Sequence, residues 1–158
     1  MNSKLAVLTL LLNDVGTGTS IDSKEDRLVF QKAVYLMQAK GIKLGYSYSW
    51  YINGPYSTSL TRDYYELDEL QNQTLVDGRE LNPAARQIAQ AVCEMVEVPD
   101  DVQLSKSRWM ELLASVHYSR HELRRDDNKA RALIEKDKPL LVPFYDRAVQ
   151  HLEANQLL

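Results

Sequence analysis

The sequence predicts a mainly α fold: a single compact helical domain over residues 1–158, of about six to seven helices, with a minor β element near residues 44–53 and 74–81. Three observations carry this expectation. Apolar residues recur at helical spacing through most of the chain, from Leu5, Leu8, Leu11 and Leu12 to Phe144, Ala148 and Leu152. Ser, Asp and Pro stand where those runs begin, and glycine clusters stand between them. Strict alternation is confined to one short stretch, where Tyr46, Tyr48 and Trp50 alternate with Gly45, Ser47 and Ser49. A length of 158 residues suits one domain, whose folding buries roughly 70% of the extended surface.

The first helix carries Leu5, Leu8, Leu11 and Leu12 and closes at Gly16-Thr17-Gly18-Thr19. Asp22 or Ser23 caps the second, about Ser23 to Ala39, with Glu25 and Asp26 in the first turn where the helix dipole favours acids. Phe30, Val34 and Met37 form one stripe of that helix, and Val29, Ala33 and Leu36 the next. So broad an apolar face predicts a central helix covered on more than one side, ended by Gly41. Leu44 to Ile52 reads as a strand with one aromatic face, stopped by Gly54-Pro55. Ser57 or Thr58 caps a helix through Leu60, Tyr64, Leu67 and Leu70, with Asp63, Glu66, Asp68 and Glu69 outward. Thr74 to Leu81, around the turn Asp77-Gly78, reads as a small hairpin. Pro83 to Val96 is helical through Ile88, Val92 and Met95. Ser105 or Ser107 caps a helix with Trp109, Leu112, Leu113 and Val116, and Asp126 or Asp127 starts one with Ala130, Leu133 and Ile134. The last helix follows Pro143.

Apolar residues at 44% and charged residues at 26% fit an ordinary globular protein, and a net charge of −3 argues against whole-surface attraction to phosphate backbones. Cys93 is the only cysteine, so no internal disulfide is expected; among Ala91, Val92, Met95 and Val96 it reads as a buried hydrophobe of a reducing compartment. The apolar run Leu5–Leu12 lacks the basic region and cleavage site of a secretory signal, and no stretch approaches the ~18 apolar residues of a membrane span. A cytoplasmic location and no membrane partner are the expectation. Charge is uneven: residues 61–101 hold ten acids against three bases, and 105–138 hold nine bases against six acids. These are two solvated faces or two docking surfaces of opposite sign.

No constellation of enzyme type stands out, so no catalytic residue and no cofactor are expected. His117 and His121 have the i, i+4 spacing of a zinc pair, but Tyr118 occupies the place where a metalloprotease helix needs glutamate, and His151 is the only other histidine. They read as a partly exposed helix face, with no metal. Gly54-Pro55-Tyr56-Ser57 lacks the second glycine of a nucleophile elbow, and Gly16-Thr17-Gly18 lacks the lysine and spacing of a phosphate cradle. Arg120, Arg124, Arg125, Lys129 and Arg131 form a basic cluster that fits phosphate binding, with Asp126 and Asp127 interrupting it. Lys32 stands inside the apolar helix, where its stem lies along the core and its head reaches the surface or a polar hollow.

Six of the nine tyrosines, at 46, 48, 51, 56, 64 and 65, gather around Gly54-Pro55. Tyrosine suits a core edge with a wet hydroxyl, and equally an interface where a rigid ring binds at low entropy cost. Pro55 restricts Gly54 and presets its own φ, so the turn places Tyr56 at a defined position. Phe30-Gln31-Lys32-Ala33-Val34-Tyr35-Leu36, followed by Trp50-Tyr51-Ile52-Asn53-Gly54-Pro55-Tyr56-Ser57, resembles the SocA-like antitoxin family, also called Panacea-domain proteins, over residues 28–70. Gln31, Lys32, Tyr35, Trp50, Gly54 and Pro55 match the family's motif positions, whereas Tyr56 stands where the family usually has valine; the chain resembles a diverged relative. The resemblance implies a small helical cytoplasmic protein, often an antitoxin or accessory factor of a prophage or defence locus, acting by protein contact. The expected function is therefore a non-enzymatic protein-binding module with a toxin-like or other locus-encoded protein partner. Its expected surface is Lys32, Tyr35, Trp50, Tyr51, Gly54, Pro55 and Tyr56. The alternative is a nucleic-acid-binding regulator using Arg120, Arg124, Arg125, Lys129 and Arg131.

Overall fold

The computed structural model describes residues 2–70 and 75–158. In chain order these form α1 (Asn2–Val15), α2 (Lys24–Ala39), β1 (Ser49–Tyr51), β2 (Gly54–Tyr56), α3 (Thr58–Glu69), α4 (Pro83–Met95), α5 (Lys106–His117), α6 (Asp127–Asp137) and α7 (Tyr145–Ala154). A π-helical turn, Tyr118–Glu122, continues α5, and a 3₁₀ turn, Val142–Phe144, precedes α7. The predicted mainly α class holds.

Two helices organise the core. Every residue of α2 from Phe30 to Met37 is buried, and α5 is buried from Trp109 to His117. The broad apolar face of α2 thus does what it predicts: it meets α5 on one side, α1 and α4 on another, and the β1–β2 hairpin. The α1–α4 pair lies beyond α2, and α6 and α7 lie against α5. One connected set of buried side chains runs through all of these, with Leu8, Leu11, Leu36, Met37, Trp109 and Tyr145 among its largest members.

Side-chain caps start the helices where the sequence places them. The side chains of Ser23, Ser57, Ser105 and Asp126 accept hydrogen bonds from the backbone N–H groups of Asp26, Leu60, Arg108 and Lys129. Asn82 does the same for α4, just ahead of Pro83. Among the described residues no helix is long and apolar enough to cross a membrane.

The β element differs from expectation in two places. Among the described residues, 44–48 pair with no strand, because the backbone N–H and carbonyl of Tyr46 are both taken by the Gln38 side chain, at 2.9 and 3.1 Å. Pairing begins only at Ser49, which opposes Tyr56, with Tyr51 opposing Gly54. The predicted second hairpin does not form over 75–81. Arg79 N–H closes a turn onto Val76 at 3.0 Å, and Leu75 and Leu81 pack against the core without pairing as strands, while Arg79 and Glu80 are exposed. Thr74 lies outside the described residues. Cys93, expected to be buried, is half-buried.

Candidate functional site

The aromatic segment is held on α2 by two glutamines one heptad apart. Gln31 Nε2 donates to Ser57 O at 3.0 Å and Gln31 Oε1 accepts from Ser57 N–H at 2.9 Å. Gln38 grips Tyr46 in the same two-bond manner. Each amide side chain substitutes for a strand neighbour, so the segment is fixed at both ends without a larger sheet. Tyr46 Oη also donates to Asp63 of α3 at 2.7 Å.

Between those clamps, two buried ammonium groups hold the hairpin by its carbonyls. Lys32 Nζ donates to Pro55 O at 2.7 Å, and Lys138 Nζ, just past α6, donates to Ile52 O at 2.6 Å. Lys138 also meets Glu111 Oε2 of α5 at 2.8 Å, and the other oxygen of Glu111 takes Arg108 at 2.5 Å. Lys32, Glu111 and Lys138 are all buried. Burial pushes the Lys32 ammonium down to about 7; Glu111 opposes the shift and the Lys138 charge adds to it. Lys32 therefore does not bring its head to the surface. It holds the corner from inside.

Gly54 is required at the junction. Its φ is +92°, and a Cβ there would lie 2.6 Å from Ser115 Oγ, so the hairpin backbone sits directly on α5.

The far end of the hairpin projects into solvent. Tyr51 is 47% exposed, Ile52 81%, and Leu140, two residues beyond Lys138, 86%. Tyr56 meets Tyr51 edge to face with ring centroids 5.2 Å apart, and Trp50 Nε1 donates to Asp137 at 2.8 Å while its ring stacks on Tyr118. Of the expected surface residues, Tyr51 lies outside, Tyr56 and Trp50 show part of their rings, and Lys32, Tyr35, Gly54 and Pro55 are buried beneath. The structure brings all seven to one corner, four of them as its foundation.

A cleft of ≈ 500 Å³ flanks the corner, lined by Tyr35, Tyr48, His117, Tyr118, His121 and Glu122 among others. His117 is buried rather than part of an exposed face, with Nδ1 2.7 Å from Tyr35 Oη; His121 is exposed. Burial, reinforced by His121, holds His117 down at about 4, and burial raises the Tyr35 phenol. Among the described residues no group of three or more His, Cys, Asp or Glu is arranged to hold a metal ion.

The basic cluster is partly neutralised. Arg120 pairs with Asp127 at 3.3 Å, and Arg131 pairs with Asp146 and stacks on the Tyr145 ring. Arg124, Arg125 and Lys129 are exposed, and among the described residues none of the three makes an ion pair.

Gln38, Glu111 and Lys138 escaped the sequence reading. Glu111 did carry a signal, a lone acid in Trp109-Met110-Glu111-Leu112-Leu113, the mirror of Lys32 in α2. A charge inside an apolar helical stripe implies a buried partner of opposite sign. No family model, no curated protein and no solved structure matches this chain.

Proposed function

We propose that the protein is a non-enzymatic protein-binding module, antitoxin-like or regulatory, that meets its partner with the tip of the β1–β2 hairpin. One observation carries the reading: Tyr51 and Ile52 are exposed on a backbone whose carbonyls are gripped by buried Lys32 and Lys138. An apolar tip on a preorganised support loses little freedom on binding, which is the condition for a strong contact residue. The resemblance of residues 28–70 to SocA-like antitoxins supports the choice of a locus-encoded protein as partner.

The test is co-purification from nuclease-treated host lysate at moderate salt, followed by affinity measurements on the partner so identified. Ile52→Asp and Tyr56→Ala are each expected to weaken the complex by more than ~1 kcal/mol, with Ile52→Asp leaving the thermal midpoint unchanged. Unchanged affinity in both variants contradicts the proposal.

The exposed Arg124, Arg125 and Lys129 favour a second reading, nucleic-acid binding. It requires affinity that falls steeply with salt and with neutralisation of Arg124 and Arg125. Salt-independent behaviour removes it.

A further inference from the structure

Away from the histidine cleft, α2, α3 and the hairpin border a smaller cavity of ≈ 190 Å³ whose charge is of one sign. Lys24 and Arg27, near the start of α2, line it together with Lys32, Asn53 of the hairpin turn, and Tyr56 and Tyr65; no aspartate or glutamate does. The acids of that end of α2 are engaged elsewhere, Glu25 by the Ser107 hydroxyl at 2.8 Å and Asp26 by that of Ser20 at 2.8 Å. Among the described residues Lys24, Arg27 and Lys32 make no ion pair. Arg27 Nη1 donates to Ile21 O at 2.9 Å, which leaves most of its guanidinium N–H groups for another acceptor. Lys32 lines the cavity while only 1% exposed, and its one recorded hydrogen bond, to Pro55 O, uses one of three ammonium donors.

We propose that this cavity binds the phosphate monoester of a small organic molecule, with the phosphate held by Lys24, Arg27 and Lys32 and the organic part against the rings of Tyr56 and Tyr65. The charge balance of the corner supports an anion here. Two buried ammonium groups, Lys32 and Lys138, share one buried carboxylate, Glu111, and that carboxylate also takes Arg108. Buried charges are ordinarily paired, and an anion beside Lys32 supplies the missing negative charge. It would also favour the charged form of Lys32, which burial otherwise holds down at about 7. A monoester carries a charge of about −1.5 to −2 near pH 7, so it matches three cations better than a carboxylate or a phosphodiester does. The arginine fork adds paired hydrogen bonds to phosphate oxygens, and tyrosine rings offer apolar faces to the remainder of the ligand. Tyr51 and Ile52 take no part in lining the cavity, so the site stands independently of partner binding at the hairpin tip.

The experiment titrates the full chain with phenyl phosphate by calorimetry at constant ionic strength. One molecule per chain is expected, with a Kd below about 1 mM. Benzoate, the same ring with a single charge, is expected to bind at least ~10-fold more weakly, and Arg27→Gln to weaken phenyl phosphate by at least ~10-fold. Lys24→Gln, at an exposed position that leaves the fold intact, weakens it by a smaller factor. Arg125→Gln, in the basic cluster outside this cavity, leaves affinity unchanged. A phosphotyrosyl pentapeptide, which carries the same group on a polypeptide, binds no more tightly than phenyl phosphate. A Kd above that limit, benzoate binding as tightly as phenyl phosphate, or wild-type affinity in both Arg27→Gln and Lys24→Gln overturns the proposal. So does an equal loss in Arg125→Gln, which would place the phosphate on the basic cluster, or tighter binding of the pentapeptide, which would make the ligand a phosphorylated protein.

Discussion

Gly54 combines a φ of +92° with a backbone that leaves no room for a side chain above Ser115 Oγ. Gly54→Ala is therefore expected to lose about 2–4 kcal/mol of unfolding free energy, part from the left-handed conformation and part from overpacking. A urea midpoint within error of wild type would contradict the close seat. Glu111 is the only acid of the Lys32–Glu111–Lys138 group, so Glu111→Gln leaves the buried Lys138 ammonium without its counter-charge and pushes Lys32 further toward its neutral form. That change is expected to cost about 3–5 kcal/mol. The same burial sets a pH dependence. Lys32 releases its proton at about 7 in the fold but at its ordinary 10.5 when unfolded, so stability rises as pH climbs through that window. His117, neutral in the fold down to about 4 but protonated below 6.5 when unfolded, gives a loss of stability as pH falls from 6.5 to 4. Lys32→Met should flatten the first slope alone, measured by chemical denaturation up to about pH 9, short of tyrosine ionisation. Lys32 was legible in the sequence as an anomaly in an apolar helix. Its role was not, because the carbonyl it holds lies 23 residues on, and the Lys138–Ile52 contact spans 86.

Helix starts were the most readable elements, since a cap and its N–H partner lie three residues apart. Ser57, the cap of α3, illustrates this: Ser57→Ala removes the bond from Leu60 N–H and the hydroxyl contact with Ser59, leaving both backbone bonds to Gln31. It is expected to cost about 0.5–2 kcal/mol, seen as a fall in thermal midpoint of a few degrees. An unchanged midpoint would show that the cap adds nothing to the hold of Gln31 on Ser57. The β element was half legible. Alternation at Tyr46, Tyr48 and Trp50 reports a two-faced extended segment, but not whether its neighbour is a strand or, as for Tyr46, a glutamine of α2. The π-turn at Tyr118–Glu122 was not legible, because His117 and His121 have the same spacing in an α-turn.

Across the molecule, α2 and α5 tie the outer helices and the hairpin into one buried network, which predicts a single unfolding transition. Trp109 is buried in α5 and Trp50 sits on the hairpin, so fluorescence reports the core and the corner together. Its unfolding curve should coincide with far-ultraviolet circular dichroism; a wild-type curve that departs from the dichroism, with coincidence restored in Trp50→Phe, would mean the hairpin melts on its own. We propose that this scaffold presents the hairpin tip to a protein. Its most direct test is a photo-crosslinking residue placed in host cells at Ile52, at Gln87 on α4 or at Arg125 on the basic loop, all of them exposed positions. One discrete protein adduct from position 52, with none from 87 or 125, is the predicted result. A protein adduct from 87, or a nucleic-acid adduct from 125, with position 52 silent, would contradict it.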